Sequence, residues 1–410
     1  MSSNTEYDSD DYVTRVLGSP DEVSAADWNT LLEQQPGGSA CGPFVRHEYL
    51  HALHHSGSAV PEAGWALQWI TLWRGNTLEA AAPLYIKNHS YGEYVFDWAW
   101  ANAYAQHGLP YYPKAVVAVP FTPVPGPRLL ARSAAARRAL VQALKRHAQA
   151  EDWSSVHVLF APPADMEAAG AAGLMPRQTV QFHWHNVVPG GGGAEGSATA
   201  QFQDFGHFLA SLSQDKRKKI KQERRRVAEA GITFAALRGA EIQSTDWDFF
   251  YRCYARTYYE HGNPPYLSRD FFHRLAQTQP GYWLLFIAHN AQGERVACSL
   301  IALSDTSPNP QAAYGRYWGA LQRVDCLHFE ACYYQPLAWC MAHGVQRFEG
   351  GAQGEHKMAR ALLPTATHSA HWLAHPAFSD AVERFLEREG EGVAQYLDHL
   401  EQRSPFKQPG

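Results

Sequence analysis

The sequence predicts an α/β (α+β) protein made of two similar units in tandem, each a mixed central sheet flanked by helices. Three observations predict this. The composition is globular, with 45% hydrophobic and 18% charged residues over 410 positions, which excludes disorder, collagen and coiled coil for most of the chain. The segment Pro189-Gly190-Gly191-Gly192-Gly193-Ala194-Glu195-Gly196-Ser197 is a flexible linker by composition and divides the chain near its middle. The halves on either side of it then read alike, which argues for duplication. The expected organisation is an acidic flexible arm over 1–25, a first unit over 26–188, a glycine-rich linker over 189–200, and a second unit over 201–410 that carries a basic helix over 214–230.

The elements follow in the same order in each half. Pro43-Phe44-Val45-Arg46-His47-Glu48-Tyr49-Leu50-His51-Ala52-Leu53 aligns without a gap on Pro265-Tyr266-Leu267-Ser268-Arg269-Asp270-Phe271-Phe272-His273-Arg274-Leu275, and both stretches are helical in pattern. A hairpin comes next: Trp65 to Trp73 and Leu78 to Ile86 around Arg74-Gly75-Asn76, against Tyr282 to His289 and Arg295 to Ala302 around Asn290-Ala291-Gln292-Gly293. A strand (Ala115 to Pro120; Ala312 to Gly319), a helix (Ala134 to Ala150; His328 to His343) and a further strand (Ser155 to Phe160; Val345 to Phe348) complete each set. The strand–helix–strand step makes a parallel, right-handed pair in an otherwise antiparallel sheet. Such neighbours part at their carboxyl ends, where sheets of this kind accept ligands.

Composition also narrows the function classes. No apolar run approaches the ~18 residues of a membrane span. The start, MSSNTEYDSDDYVTRV, is neither a secretory signal nor an Arg-rich transit peptide. Six cysteines without a CxxC pair do not form a disulfide framework. The expectation is a soluble, cytoplasmic protein of undefined oligomeric state. Among the 21 histidines, the candidate ligand groups are His183-Trp184-His185, His54-His55, and His368 with His371; none forms an HExxH helix or a Cys/His quartet, so no metal is expected.

Charge is concentrated. The chain carries −5, yet residues 216–226 hold eight cations and one anion, leaving −12 for the remainder. Lys216, Arg217, Lys218, Lys219 and Arg224 are candidate phosphate- or carrier-binding residues of this helix. A solvated helix face is the plain alternative. Like charges packed so densely repel one another, so the helix implies a polyanion or an acidic wall nearby.

Several strings carry a family resemblance: Tyr91-Gly92-Glu93-Tyr94-Val95-Phe96-Asp97-Trp98-Ala99-Trp100-Ala101, Val119 to Arg128, Tyr314-Gly315-Arg316-Tyr317-Trp318-Gly319, Leu327 to Tyr334, and Gly351-Ala352-Gln353-Gly354-Glu355-His356-Lys357. The chain resembles the FemAB-like branch of predicted N-acyltransferases (peptidoglycan biosynthesis protein-like) in the GNAT superfamily, over roughly residues 40 to 390. The resemblance implies tandem GNAT-like acyltransferase domains. It implies transfer of an acyl or aminoacyl group from an activated carrier to an amine, peptidoglycan-related or otherwise small. It implies acyl-CoA or aminoacyl-tRNA as co-substrate, with no tightly bound cofactor, and tRNA as a further partner. Many GNAT enzymes hold coenzyme A on a glycine-containing loop after the central strand. The loop here, Ala320 to Cys326, has no glycine, which favours a donor other than simple acetyl-CoA. The rival from another class is a non-catalytic module that recognises cell-wall precursors or RNA.

Acyl transfer to an amine needs a neutral amine, donors for the tetrahedral oxyanion and a proton for the leaving group. Glu349 to Lys357 follows a strand expected to be buried. Its glycines admit a ligand close to the backbone, and Glu355 or His356 is placed to take the amine proton. Gln353 and Lys357 are candidate substrate contacts, Lys357 for an anionic group; the alternative is a turn with solvated caps. Glu330 is either a carboxylate facing the parted strands or a residue satisfying a helix dipole. Tyr314, Arg316 and Trp318 share one strand face by period two, with Tyr314 a catalytic candidate and Arg316 and Trp318 substrate contacts; the alternative for strand aromatics is core. In the first half, Asp97 and Trp98 are expected in a groove.

Overall fold

The computed structural model describes residues 12–189, 200–352 and 354–407. Two units divide the chain: Met1–Thr179 with Ala366–Gln395, and Val180–Thr365 with Tyr396–Gly410.

In the first unit, the helix His47–His55 leads to the hairpin Trp69–Arg74 and Thr77–Ala82. Gly75 supplies the left-handed turn residue at φ +57. Pro83 then interrupts the strand, and the chain resumes as Leu84–Lys87, which pairs with Lys114–Val117 in a different sheet. Lys114–Val117 lies parallel to Ser155–Val158, and the helix Ala134–Ala150 connects them. Ser133 caps that helix by accepting from the amide of Ala136 at 3.0 Å. Its apolar face, including Leu140 and Leu144, packs on Ile70, Leu72, Val117 and Val156.

The second unit repeats the order. The helix Arg269–Thr278, capped by Ser268, precedes the hairpin Trp283–His289 and Arg295–Leu303. Next come the strand Ala312–Ala320, a helical stretch from Leu327 to Ala342, and the strand Arg347–Ala352. Among the described pairings of this unit's strands, Ala312–Ala320 with Arg347–Ala352 is parallel and the others are antiparallel. The helical stretch is not regular: Glu330–Tyr334 forms a π-turn within it. Its inner face joins Phe182, Trp184, Leu284, Phe286 and Phe348 in a core.

Three points differ from expectation. The described part of the acidic arm is ordered, because Val13–Leu17 pairs antiparallel with Trp69–Trp73 and the helix Ala25–Glu33 follows at once. The division between units falls at Thr179, inside the strand Met175–His185, rather than at the glycine-rich segment, whose residues 190–199 lie outside those described. Residues 366–395, expected in the second unit, belong to the first, since Ala370–Leu373 pairs with Ser155–Val158. No described helix is long and apolar enough to cross a membrane.

Candidate functional site

The parallel pair of the second unit separates after three rungs: Ala312↔Arg347, Ala313↔Phe348 and Tyr314↔Glu349. Beyond Glu349 the two strands part around a cavity of about 130 Å³, lined by Ser299, Gly315, Trp318, His328, Tyr333 and Gly350 among others. Glycine sits on both walls, where a Cβ would crowd a neighbouring side chain. A Cβ at Gly315 would sit 3.2 Å from Phe348 Cζ, and one at Gly350 would sit 2.4 Å from Leu362 Cδ2.

A bulge shapes the same wall. Ile301 opposes Gly315 and Leu300 opposes Tyr317, so Arg316 is the extra residue. The insertion breaks the alternation that would have put Tyr314, Arg316 and Trp318 on one face. Trp318 opposes Ser299 and stands 5.4 Å from the ring of His328, in the cavity. Tyr314 opposes Ala302 on the other face, is 2% exposed and engages Arg347. Tyr314 is therefore not brought to the cavity by its side chain. Arg316 is half-buried, donates to the Tyr317 hydroxyl at 3.3 Å and lies in the field of Glu349.

The turn after the second strand meets this cavity. Glu355–Arg360 is a short 3₁₀ segment preceded by Gly354 at φ +119. Gln353 lies outside the described residues. Lys357 is buried and donates to the carbonyl of Gly351 at 3.1 Å. Burial pulls its pKa down to about 8. His356 is exposed, with its ring 6.5 Å from that of Tyr333; partial burial, Lys357 and Arg360 hold it below the usual histidine range. His328 is driven to about 4, chiefly by burial. Both imidazoles are thus neutral near pH 7. Glu355 instead turns to an ion pair with Arg403. A second hollow of about 220 Å³ is lined by Lys216, Glu355, His356, Met358 and Arg403, so the start of the basic helix reaches the turn.

The basic helix, Gln214–Glu229, is fixed on one side. Its single internal acid, Glu223, is buried and accepts from Arg360 at 3.0 Å and from the Tyr334 hydroxyl. Arg360 in turn stacks 3.6 Å over the ring of Phe329. Arg224 donates to Glu330 at 3.1 Å and lies over Phe205. Two expectations are corrected here. Glu330 faces Arg224 and Gln335 rather than the parted strands, and Arg224 is occupied by that carboxylate rather than open to a phosphate. Part of the expected acidic wall is therefore supplied by the unit itself. Lys216 and Arg217 are half-buried, while Lys218, Lys219, Lys221 and Arg226 face solvent.

Asp97 and Trp98, in the first unit, do not line a shared groove. Asp97 is buried and accepts from the Tyr111 hydroxyl at 2.6 Å and from Lys114. Trp98 is exposed, edge-on to Tyr91 at 5.1 Å. The sequence reading gave Glu349 and Tyr333 no role of their own and did not single out Gly315 on the facing strand. Glu349 is buried at the last rung, where burial raises its pKa to about 7 against the pull of Arg347. Its only signal was a carboxylate at the end of a strand expected to be buried.

A family model described as peptidoglycan biosynthesis/recognition matches residues 19–408. The chain belongs to the FemAB-like family. No curated protein matches this FemAB-like chain. Among solved structures it is similar to the C-terminal DUF2156 domain of a candidate lysylphosphatidylglycerol synthetase from Agrobacterium fabrum, at 9% identity and TM-score 0.51, covering 88% of this chain and 94% of that one. It is also similar to L-PGS from Bacillus licheniformis, at 11% identity and TM-score 0.50, covering 88% and 97%. FemX matches at 11% identity and TM-score 0.49, covering 88% and 98%. The fold is the expected mixed α/β architecture with the same order of elements in two units, and with the open parallel pair in the second.

Proposed function

We propose that this FemAB-like protein is an N-acyltransferase that moves an acyl or aminoacyl group from aminoacyl-tRNA or acyl-CoA to a peptidoglycan-related or other small amine. The observation that carries this reading is the parting of Ala312–Ala320 from Arg347–Ala352 after Tyr314↔Glu349, with a cavity between glycine walls and two neutral imidazoles at its edge. The donor carbonyl lies in the wedge. The amine nitrogen attacks its carbon, and backbone N–H groups of the bulged strand stabilise the oxyanion. His356 takes the proton released from nitrogen as the C–N bond forms. Collapse then breaks the C–O bond of an aminoacyl ester or the C–S bond of a thioester, and the leaving group takes a proton.

Lys357 holds an anionic group of the substrate. The outward cations Lys218 and Lys219, with the half-buried Lys216 and Arg217, hold phosphates of the carrier. Bringing both substrates together in the wedge supplies much of the acceleration, so few side chains need be essential.

The test is to incubate purified protein with radiolabelled aminoacyl-tRNA, or with acyl-CoA, and a panel of amines, and to count amide product. We expect product from one donor class and thermal stabilisation by that donor. His356→Ala should cut the rate about 100-fold with the melting temperature unchanged. Neither product nor stabilisation with either donor overturns the proposal. Retained salt-sensitive RNA affinity in the absence of turnover would favour the binding-module alternative.

A further inference from the structure

We propose that Asp21, His51 and His55 form a binding site for one divalent transition-metal ion, zinc by preference. The site belongs to the first unit and does not depend on the proposed transfer reaction.

His51 and His55 lie one turn apart on the helix His47–His55, with ring centroids 4.1 Å apart. That spacing places both imidazoles on one face. Asp21 comes from the short turn Pro20–Glu22, and both histidines aim the same ring nitrogen at its carboxylate. His51 Nε2 lies 3.1 Å from Asp21 Oδ1, and His55 Nε2 lies 2.9 Å from Asp21 Oδ2. All three ligand atoms fall within 4.8 Å of one another. Bonds of ~2.0–2.1 Å to zinc in a tetrahedron give edges of about 3.3 Å. The two nitrogen–oxygen distances, each to a different oxygen of the carboxylate, fall a few tenths of an ångström short of that edge.

The carboxylate is held in place before any ion arrives. Ser19 Oγ donates to Asp21 Oδ2 at 3.0 Å and accepts from the Asp21 amide at 3.2 Å, and the Glu22 carboxylate closes the cap on the amide of Ser19. His47, one turn before His51, fastens the turn to the helix through Pro20 O at 2.9 Å. The ligand set is therefore built on two elements already locked together. It is also open: the side chains of His51 and His55 are 34% and 32% exposed, and that of Asp21 is 57% exposed. Water can complete the coordination, and an ion can enter. Two imidazoles with one carboxylate suit Zn²⁺, Ni²⁺ or Cu²⁺ and do not suit Mg²⁺ or Ca²⁺, which require oxygen ligands. Pairs of adjacent histidines were visible in the sequence, but the third ligand stands 30 residues from His51 and became visible only in the fold.

The experiment is calorimetric titration of ZnCl₂ into the full-length, tag-free protein after treatment with EDTA. One saturable equivalent is expected, with no competition from Mg²⁺. Loss of an outer hydrogen-bond partner alone costs 10–100-fold in metal affinity, so His51→Ala, His55→Ala and Asp21→Asn should each weaken binding roughly tenfold or more. Copper-loaded protein should show hyperfine coupling to two imidazole nitrogens in its paramagnetic resonance spectrum, and the His51→Ala/His55→Ala double variant should lose it. Circular dichroism checks that the variants fold, with His51→Gln/His55→Gln in reserve if they do not. A tight equivalent that survives in the double variant, or a wild-type protein that binds no more zinc than the double variant, overturns the proposal.

Discussion

Each unit contains one parallel strand pair reached by the same order of elements, and the two pairs end differently. In the first unit, Ala115↔Val156, Val116↔His157 and Val117↔Val158 are followed without a break by the Leu159 amide donating to Val117 O at 3.0 Å. The carboxyl ends are filled by Val95, Val116, Ala118, Leu159 and Phe160. In the second unit the ladder stops, and glycines face a cavity. Shared topology therefore does not make a site. A bulge and the glycine at 315 leave open what apolar side chains seal in the other copy.

The first unit keeps its polar groups elsewhere, in a closed network. Lys114 is fully buried and donates to Ser90 at 2.7 Å, to Glu93 at 2.8 Å and to Asp97. Burial alone would neutralise this lysine, but the two carboxylates prevail and hold its pKa above the usual value. His157 and His371 meet through their Nδ1 atoms at 2.7 Å, and burial keeps both well below the usual histidine range.

The contrast can be broken or sharpened in four ways. Lys114→Met leaves Glu93 and Asp97 without their cation and should cost about 3–5 kcal/mol in urea unfolding; a loss under about 1 kcal/mol would show the network not to be structural. Gly315→Val fills the wedge as the first unit is filled, and should lower transfer about 100-fold, equivalent to about 2.7 kcal/mol of activation free energy. Unchanged turnover would separate the wedge from the chemistry.

The third test uses pH. Lys357 is cationic below its pKa of about 8 and neutral above it, so its hold on an anion weakens as pH rises. The KM of the substrate whose anionic group Lys357 holds should climb about eightfold from pH 7.5 to 9, and Lys357→Arg should flatten the profile. The same shift gives a stability trend of defined sign. The unfolded chain holds this proton up to its ordinary pKa near 10.5 while the folded one releases it near 8, so stability rises across that window.

The smallest effect is expected from the basic helix. Lys218→Gln and Lys219→Gln together should reduce the salt slope of carrier binding by roughly two, with the loss of affinity shrinking as salt rises. No change in slope would leave the outward cations as a solvated face.

Much of this arrangement was legible from the residues. Hydrophobic period located the helix, hairpin, strand, helix and strand of each half, and the glycine–polar string put His356 and Lys357 beside the wedge. The bulge at Arg316 was not legible, because one inserted residue leaves no compositional mark yet reverses every later side chain. Glu330 and Asp97 were misplaced for another reason. Their cations, Arg224 and Lys114, are 106 and 17 residues away, and nothing local records which carboxylate a buried cation will choose.

The path of the chain has a practical consequence. Because Ala370–Leu373 lies against Ser155–Val158, a gene fragment that stops at the glycine-rich segment would make a protein with that strand's backbone bare along one edge. Such a half-length product should clump during expression, whereas coexpression with a peptide spanning residues 366–395 should rescue it.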